Sequence, residues 1–233
     1  MIPTYNESRN IAALITEIQA IDAAITILVV DDDSPDGTWQ VVEKLAQVDA
    51  RIQLIRRQEK AGRGLAGACG FGWAIEHGFD YILEMDGDFS HPPALIPQLL
   101  AKMTTVDIAI GSRFIAGGKD IERHLFRRLL TRFSKAYVRT MLGVPVSDPN
   151  SGFRCFRREV LERLDMTRII SRGPAIVHEI LYKASLCHYS IAEVPYEFAD
   201  RRYGQSNLNL LKLMDGYTKI IHFKLLHLLG KLL

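Results

Sequence analysis

The strongest constraint on this chain is a series of short apolar runs, each stopped by an acidic or glycine-rich turn. Ile25 to Val30 (ITILVV) stops at Asp31-Asp32-Asp33-Ser34-Pro35-Asp36-Gly37, Tyr81 to Met85 (YILEM) at Asp86-Gly87-Asp88, and Val106 to Ile110 (VDIAI) at Gly111. Runs this short and this apolar suit strands covered on both faces. Met1-Ile2-Pro3 reads as the end of a first strand and Ile52 to Ile55 as another. Helical spacing lies between them. Ile11, Leu14, Ile15, Ile18 and Ile21 follow a cap at Asn6 or Ser8, and Trp39, Val42, Leu45 and Ala46 share a second face. Residues 63–77 form a helix rich in small residues, and Pro92-Pro93 open one running to Met103. Alternating strands and helices predict βαβ units, hence an α/β fold with a mostly parallel central sheet. Ligands of such sheets bind beyond the carboxyl ends of the strands. Asp31/Asp32, Asp86/Asp88 and Arg113 are therefore expected along one edge.

Beyond Gly111 the pattern loosens. A loop and a basic helix (about 124–142) precede turns at Pro145 and Pro149, helices near 157–164 and 174–187, and a late strand in 191–198. The 233 residues, 48% hydrophobic and 24% charged, suit one large domain. We expect a catalytic unit over residues 1–207 and a separate terminal helix over 208–233. A net charge of +2 gives no global field for nucleic acid. The stretch from Arg113 to Arg139 is nonetheless basic, with Asp120 and Glu122 its only acids, which suits phosphates or an anionic membrane surface. Three cysteines without metal-type spacing suit a reducing compartment. Neither a secretory signal nor a run long enough to span a bilayer is expected. The terminal stretch LKLMDGYTKIIHFKLLHLLGKLL, with lysines at 212, 219, 224 and 231, reads as an amphipathic helix in a membrane interface. Packing on the domain or in an oligomer is the other reading.

Two carboxylates one residue apart at a strand end, Asp86 and Asp88, can ligate a hard cation such as Mg²⁺ or Mn²⁺, which in turn neutralises a diphosphate. Gly87 lets ligand and metal approach the backbone, although Asp-Gly is also a common turn. Asp31 to Asp33 repel one another unless donors compensate them, and a nucleoside offers such donors; a solvated acidic turn is the alternative. Gly62-Arg63-Gly64-Leu65-Ala66-Gly67 fits a dinucleotide fingerprint, with Asp86 lying 19 residues past its last glycine. It does not leave a strand directly, so we discount it. Tyr5 can stack on a base and Glu7 can accept from one. Arg113, Arg201 and Arg202 are candidate phosphate forks.

Taken together, these segments resemble the dolichol-phosphate mannose synthase group of the inverting A-type glycosyltransferases of family 2. The resemblance rests on Ile2-Pro3-Thr4-Tyr5-Asn6-Glu7, Val29 to Thr38 (VVDDDSPDGT), Met85 to Pro92 (MDGDFSHP), Gly111-Ser112-Arg113-Phe114, Asp148 to Arg154 (DPNSGFR) and Glu193 to Arg201 (EVPYEFADR), in the family's order. It implies a nucleotide-sugar-binding Rossmann-like fold. It also implies that Pro3, Tyr5, Glu7, Val30 and Asp32 hold the nucleoside, and that Asp86 and Asp88, with Ser90 assisting, hold metal and diphosphate. Arg113 and Arg201 would grip phosphates, and the basic and terminal helices would dock on a membrane. The implied reaction moves mannose from GDP-mannose to a polyprenyl phosphate at the cytoplasmic face of a membrane. An acceptor that is already an anion needs little general base, so positioning and metal carry the chemistry. Two features depart from the family pattern: few residues precede Pro3, and Asn207 stands where the family has lysine. UDP-glucose as donor, a silent nucleotide-binding subunit, a receiver domain and a nicotinamide oxidoreductase are the competing readings.

Overall fold

The structure, a computed structural model, describes residues 1–58, 62–120, 125–198 and 210–232. Strand β1 (Ile2–Thr4), helix α1 (Ile11–Gln19), β2 (Ile27–Asp31), α2 (Thr38–Val48) and β3 (Ile52–Arg56) form the opening βαβαβ unit. Its three strands are parallel with β2 in the middle. All five residues of β2 are buried, as expected of an apolar run covered on both faces. Helix α1 buries Ile11, Leu14, Ile15 and Ile18. Its expected caps are displaced: Asn10 is the N-cap residue, and the Asn6 and Ser8 amides donate instead to Ser34 Oγ and Asp36 Oδ2. Contacts between residues 28 apart in the chain therefore outrank the local cap.

Next come α3 (Arg63–Glu76), β4 (Tyr81–Glu84), a 3₁₀ turn (Pro93–Leu95), α4 (Ile96–Lys102) and β5 (Ile108–Ser112). The single helix expected from Pro92 to Met103 is thus a 3₁₀ turn followed by a shorter α-helix. The remaining elements are β6 (Lys119–Asp120), α5 (Leu125–Leu142), β7 (Arg154–Arg157), α6 (Arg158–Leu164), α7 (Ile176–Leu186), β8 (Ile191–Pro195), β9 (Glu197–Phe198) and α8 (Leu210–Leu228). Strand β7 was not expected from the residues; it enters antiparallel between β4 and β5, while β8 lies parallel to β5. The Met1 nitrogen donates to Leu83 O at 2.7 Å, and the Met85 amide to Met1 O at 3.2 Å. These bonds join the two sheets in the order β3-β2-β1-β4-β7-β5-β8.

One apolar cluster packs α1, α2 and α4 on one side of this sheet, and a second packs α3, α5, α6, α7 and α8 around Phe71, Phe156 and Tyr182. Because β1, β2, β4 and β5 all point the same way, their carboxyl ends lie along one edge.

Candidate active site

Each acid at the edge has its own fate. Asp31 is fully buried; its carboxylate accepts from Thr4 Oγ1 at 2.7 Å, from Ser34 Oγ at 2.7 Å and from the Ser34 amide at 2.8 Å. It is a fixed post that ties β1 to the turn after β2. Asp32, also buried, accepts from Arg57 Nη1 at 2.8 Å and from the Gly62 amide at 3.0 Å. Asp33 turns outward with a positive φ of 54° and pairs with Arg56, whose guanidinium stacks on Trp39. The expected repulsion among three acids is thus removed by sending them in three directions.

Thr4, Tyr5 and Glu7 lie beside this turn. Glu7 Oε2 accepts from Asn10 Nδ2, and the Glu7 amide donates to Thr38 Oγ1. Pro3 pairs with Val30 in the parallel ladder. The Val30 side chain is wholly inside, against Ala66 and Leu28, so only its backbone faces the strand ends.

Asp86, Gly87 and Asp88 follow β4. A Cβ on Gly87 would sit 3.3 Å from Thr4 Cγ2 and 3.4 Å from Glu7 Cγ, so the missing side chain lets this turn close on the Pro3–Glu7 segment. Asp88 is buried and accepts from the Ser90 amide at 3.0 Å, across Phe89 in the left-handed region. Asp86 is partly exposed, and its amide donates to His91 Nδ1 at 2.9 Å. That bond leaves the neutral imidazole with its proton on Nε2. Burial pulls the His91 pKa down, with Asp86 and Asp88 opposing, and the ring stacks on Phe153.

Arg63, which was not expected among the site residues, lies in the discounted glycine pattern. Its Nη2 reaches Asp86 Oδ1 at 2.7 Å and Glu84 Oε1 at 3.6 Å. Gly62 and Gly64 serve packing, since a Cβ on either would meet the backbone of Ser171 or Arg172 at 2.6 Å or less. An arginine opening a helix opposes the macrodipole, and that mismatch was the available signal that acids lie opposite it.

Arg113 sits where the sequence put it, after β5, but Asp148 holds it. Nε and Nη2 form a two-pronged pair with the carboxylate at 2.7 and 2.8 Å, with both side chains buried. Burial opposes the charge, yet the bonds and charge of Asp148 outweigh it and hold the guanidinium pKa above its usual value. The loop carrying Asp148 is itself clamped. Glu193 accepts from the Ser147 and Asp148 amides, and Arg154 donates to the carbonyls of Pro149, Ser151 and Val177. Arg154 is therefore a scaffold, and burial lowers its pKa to about 10. On the same side, Lys135 of α5 lies 4.4 Å from the Phe114 ring, and Ser134 contacts Asn150. His178 Nε2 meets Asn150 Oδ1; its Nδ1 is sealed from water, and burial and Arg154 lower its pKa to about 3. Arg201, Arg202 and Asn207 lie outside the described residues.

Asp86 and Asp88 offer hard oxygen donors that suit Mg²⁺ or Mn²⁺. Among the described residues no group of three or more His, Cys, Asp or Glu forms a metal cage. A cation at this pair would need phosphate or water to complete its shell, as Mg²⁺ commonly does.

The chain belongs to glycosyl transferase family 2, whose model matches residues 1–165. It is a glycosyltransferase of the kind the sequence resembles. The polyprenol monophosphomannose synthase of Mycolicibacterium smegmatis is 36% identical, over 94% of this chain and 84% of the relative. The undecaprenyl-phosphate mannosyltransferase of Micrococcus luteus is 34% identical over 90% and 86%. The dolichol-phosphate mannosyltransferase of Pyrococcus furiosus is 34% identical over 99% of this chain and 68% of the relative. In fold, the chain is similar to the glucosyl-3-phosphoglycerate synthase of Mycobacterium tuberculosis, solved with Mn²⁺, UDP and glucosyl-3-phosphoglycerate. The TM-score is 0.66 at 21% identity, covering 97% of this chain and 77% of that one.

Proposed function

We propose that this enzyme transfers mannose from GDP-mannose to a polyprenyl phosphate, with inversion and with Mg²⁺ or Mn²⁺. The observation that carries the reading is the closure of the Asp86-Gly87-Asp88 turn on the Thr4–Glu7 segment, which sets a metal-type carboxylate pair beside a nucleoside-type ledge. The names of the three mannosyl-transferring relatives supply the sugar and the lipid class. Pro3, Tyr5, Glu7, the Val30 backbone and Asp32 take the nucleoside. Asp86 and Asp88 hold the metal, with the Ser90 amide fixing Asp88. A metal held there would supply charge neutralisation for the nucleoside diphosphate leaving group. Arg113, its plane fixed by Asp148, is assigned to a phosphate, with Arg201 as a second grip. The acceptor phosphate attacks as an anion, so the protein has mainly to place it behind the anomeric carbon and keep water away.

Residues 1–207 act as the catalytic unit and the terminal helix as its membrane contact. Helix α8 buries Ile220 and Phe223 against the body, while Met214, Ile221, Leu225 and Leu228 stand exposed. Their spacing of seven, four and three residues makes one apolar stripe. Among the described residues no helix is long and apolar enough to cross a membrane. The stripe, with Lys219 and Lys224 on the same helix, suits lying in the interface at the cytoplasmic leaflet.

The deciding experiment is transfer of radiolabelled sugar into the organic phase from GDP-mannose or UDP-glucose, with polyprenyl phosphate and Mg²⁺ or Mn²⁺. Metal-dependent mannosyl-lipid is the expected product. Glucosyl-lipid alone would reassign the donor, and nucleotide binding without product would remove the catalytic reading.

A further inference from the structure

Arg63 is held at the acidic pair by several independent features. It opens α3, whose first turn is seated by Gly62 and Gly64 against the backbone of residues 171–173. Its guanidinium lies over Gly152, where a Cβ would meet Nη2 at 2.5 Å, so the Asn150-Ser151-Gly152 segment leaves room for it. Nη2 bonds Asp86 Oδ1 at 2.7 Å and stands 3.6 Å from Oε1 of Glu84, a buried oxygen with no hydrogen-bond partner. Asp86, Glu84 and Asp88 all act on its charge.

A guanidinium bonded to Asp86 and a divalent cation ligated by the same carboxylate repel strongly at such range. The two compete for the charge of that one carboxylate. We infer that Arg63 is the built-in counter-cation of the metal site. It neutralises Asp86 and Glu84 while no metal is bound, yields Asp86 to the metal, and passes to the diphosphate of the incoming donor. Metal alone then binds weakly, because it must weaken the 2.7 Å bond to Asp86 and leave Arg63 with the longer contact to Glu84. Metal and nucleoside diphosphate bind together, because the diphosphate gives Arg63 a new anion. This role rests on the metal-dependent reading above, and it makes Arg63 a positioning residue that couples the two ligands.

The test measures free Mn²⁺ by electron paramagnetic resonance over the full chain, with and without GDP or UDP, for wild type, Arg63→Gln and Arg63→Lys. Loss of a partly exposed pair should let Arg63→Gln bind Mn²⁺ alone roughly fivefold more tightly than wild type. The gain in Mn²⁺ affinity that nucleotide confers should shrink by a similar factor. Arg63→Lys, with one ammonium in place of a fork, should fall between them, and it carries the test if Arg63→Gln does not fold. Unchanged Mn²⁺ affinity in both variants, with wild type binding Mn²⁺ plus nucleotide, overturns the role of Arg63 alone. Failure of every protein to bind Mn²⁺ even with nucleotide overturns the metal reading, and this inference with it.

Discussion

The acids after β2 and the acids after β4 look alike in sequence and behave as opposites in the fold. Asp31 is saturated by Thr4 and Ser34, and Asp32 is bonded to Arg57 and Gly62. Those bonds hold β1, β2 and the start of α3 in register, so Asp31 is scaffold and Asp32 is held in place for the nucleoside proposed above. After β4, Asp86 stays partly open, and its carboxylate is bonded by an arginine side chain from another element. Asp86 and Asp31 mark the ends of this contrast: one carboxylate is partly open and held by a side chain, the other is buried among hydroxyl and amide donors.

Replacing one acid from each side sharpens the contrast. Asp88→Ala should cut transfer in the folded protein by about 10²–10³-fold, the scale of a lost charge-stabilising group. A folded Asp88→Ala protein with wild-type turnover would abolish the distinction. Asp31→Ala should do the reverse: it strands the Thr4 and Ser34 donors and costs about 1–3 kcal/mol of stability, read by denaturant unfolding, with turnover kept in the folded fraction. Gly87→Ala tests the seam between the two turns. Its Cβ would press on Thr4 and Glu7 at 3.3 and 3.4 Å, so KM for the donor should rise about threefold, a shift well under the ~1–3 kcal/mol typical of overpacking, while kcat holds. The smallest effect belongs to Asp33→Ala. Its pair with Arg56 is half-exposed, so stability should change by about 0–1 kcal/mol and transfer hardly at all.

Much of this was legible in the residues. The buried run at β2, the helical stripe of α1 and the basic helix α5 all appear close to where spacing put them, because burial on one or two faces imposes a local period. Strand β7 was not legible. Arg154-Cys155-Phe156-Arg157 has no strand signature of its own, and it is extended because β4 and β5 flank it with open backbone. Val30 was expected at the nucleoside, but strand pleat sends its side chain into the core. Arg113 was expected to grip a phosphate; that Asp148, 35 residues further along, takes two of its nitrogens was not legible.

The α/β alternation, the edge shared by the strand ends and the family of the chain were all written into the order of the residues. They follow from hydrophobic period and from motifs a few residues long. Packing in three dimensions settled the rest: that Asp31 is closed off while Asp86 stays partly open, that Arg63 faces Asp86, and that Asp148 fixes Arg113. Charges choose partners through space, and in a folded interior the nearest opposite charge is seldom a neighbour in the chain.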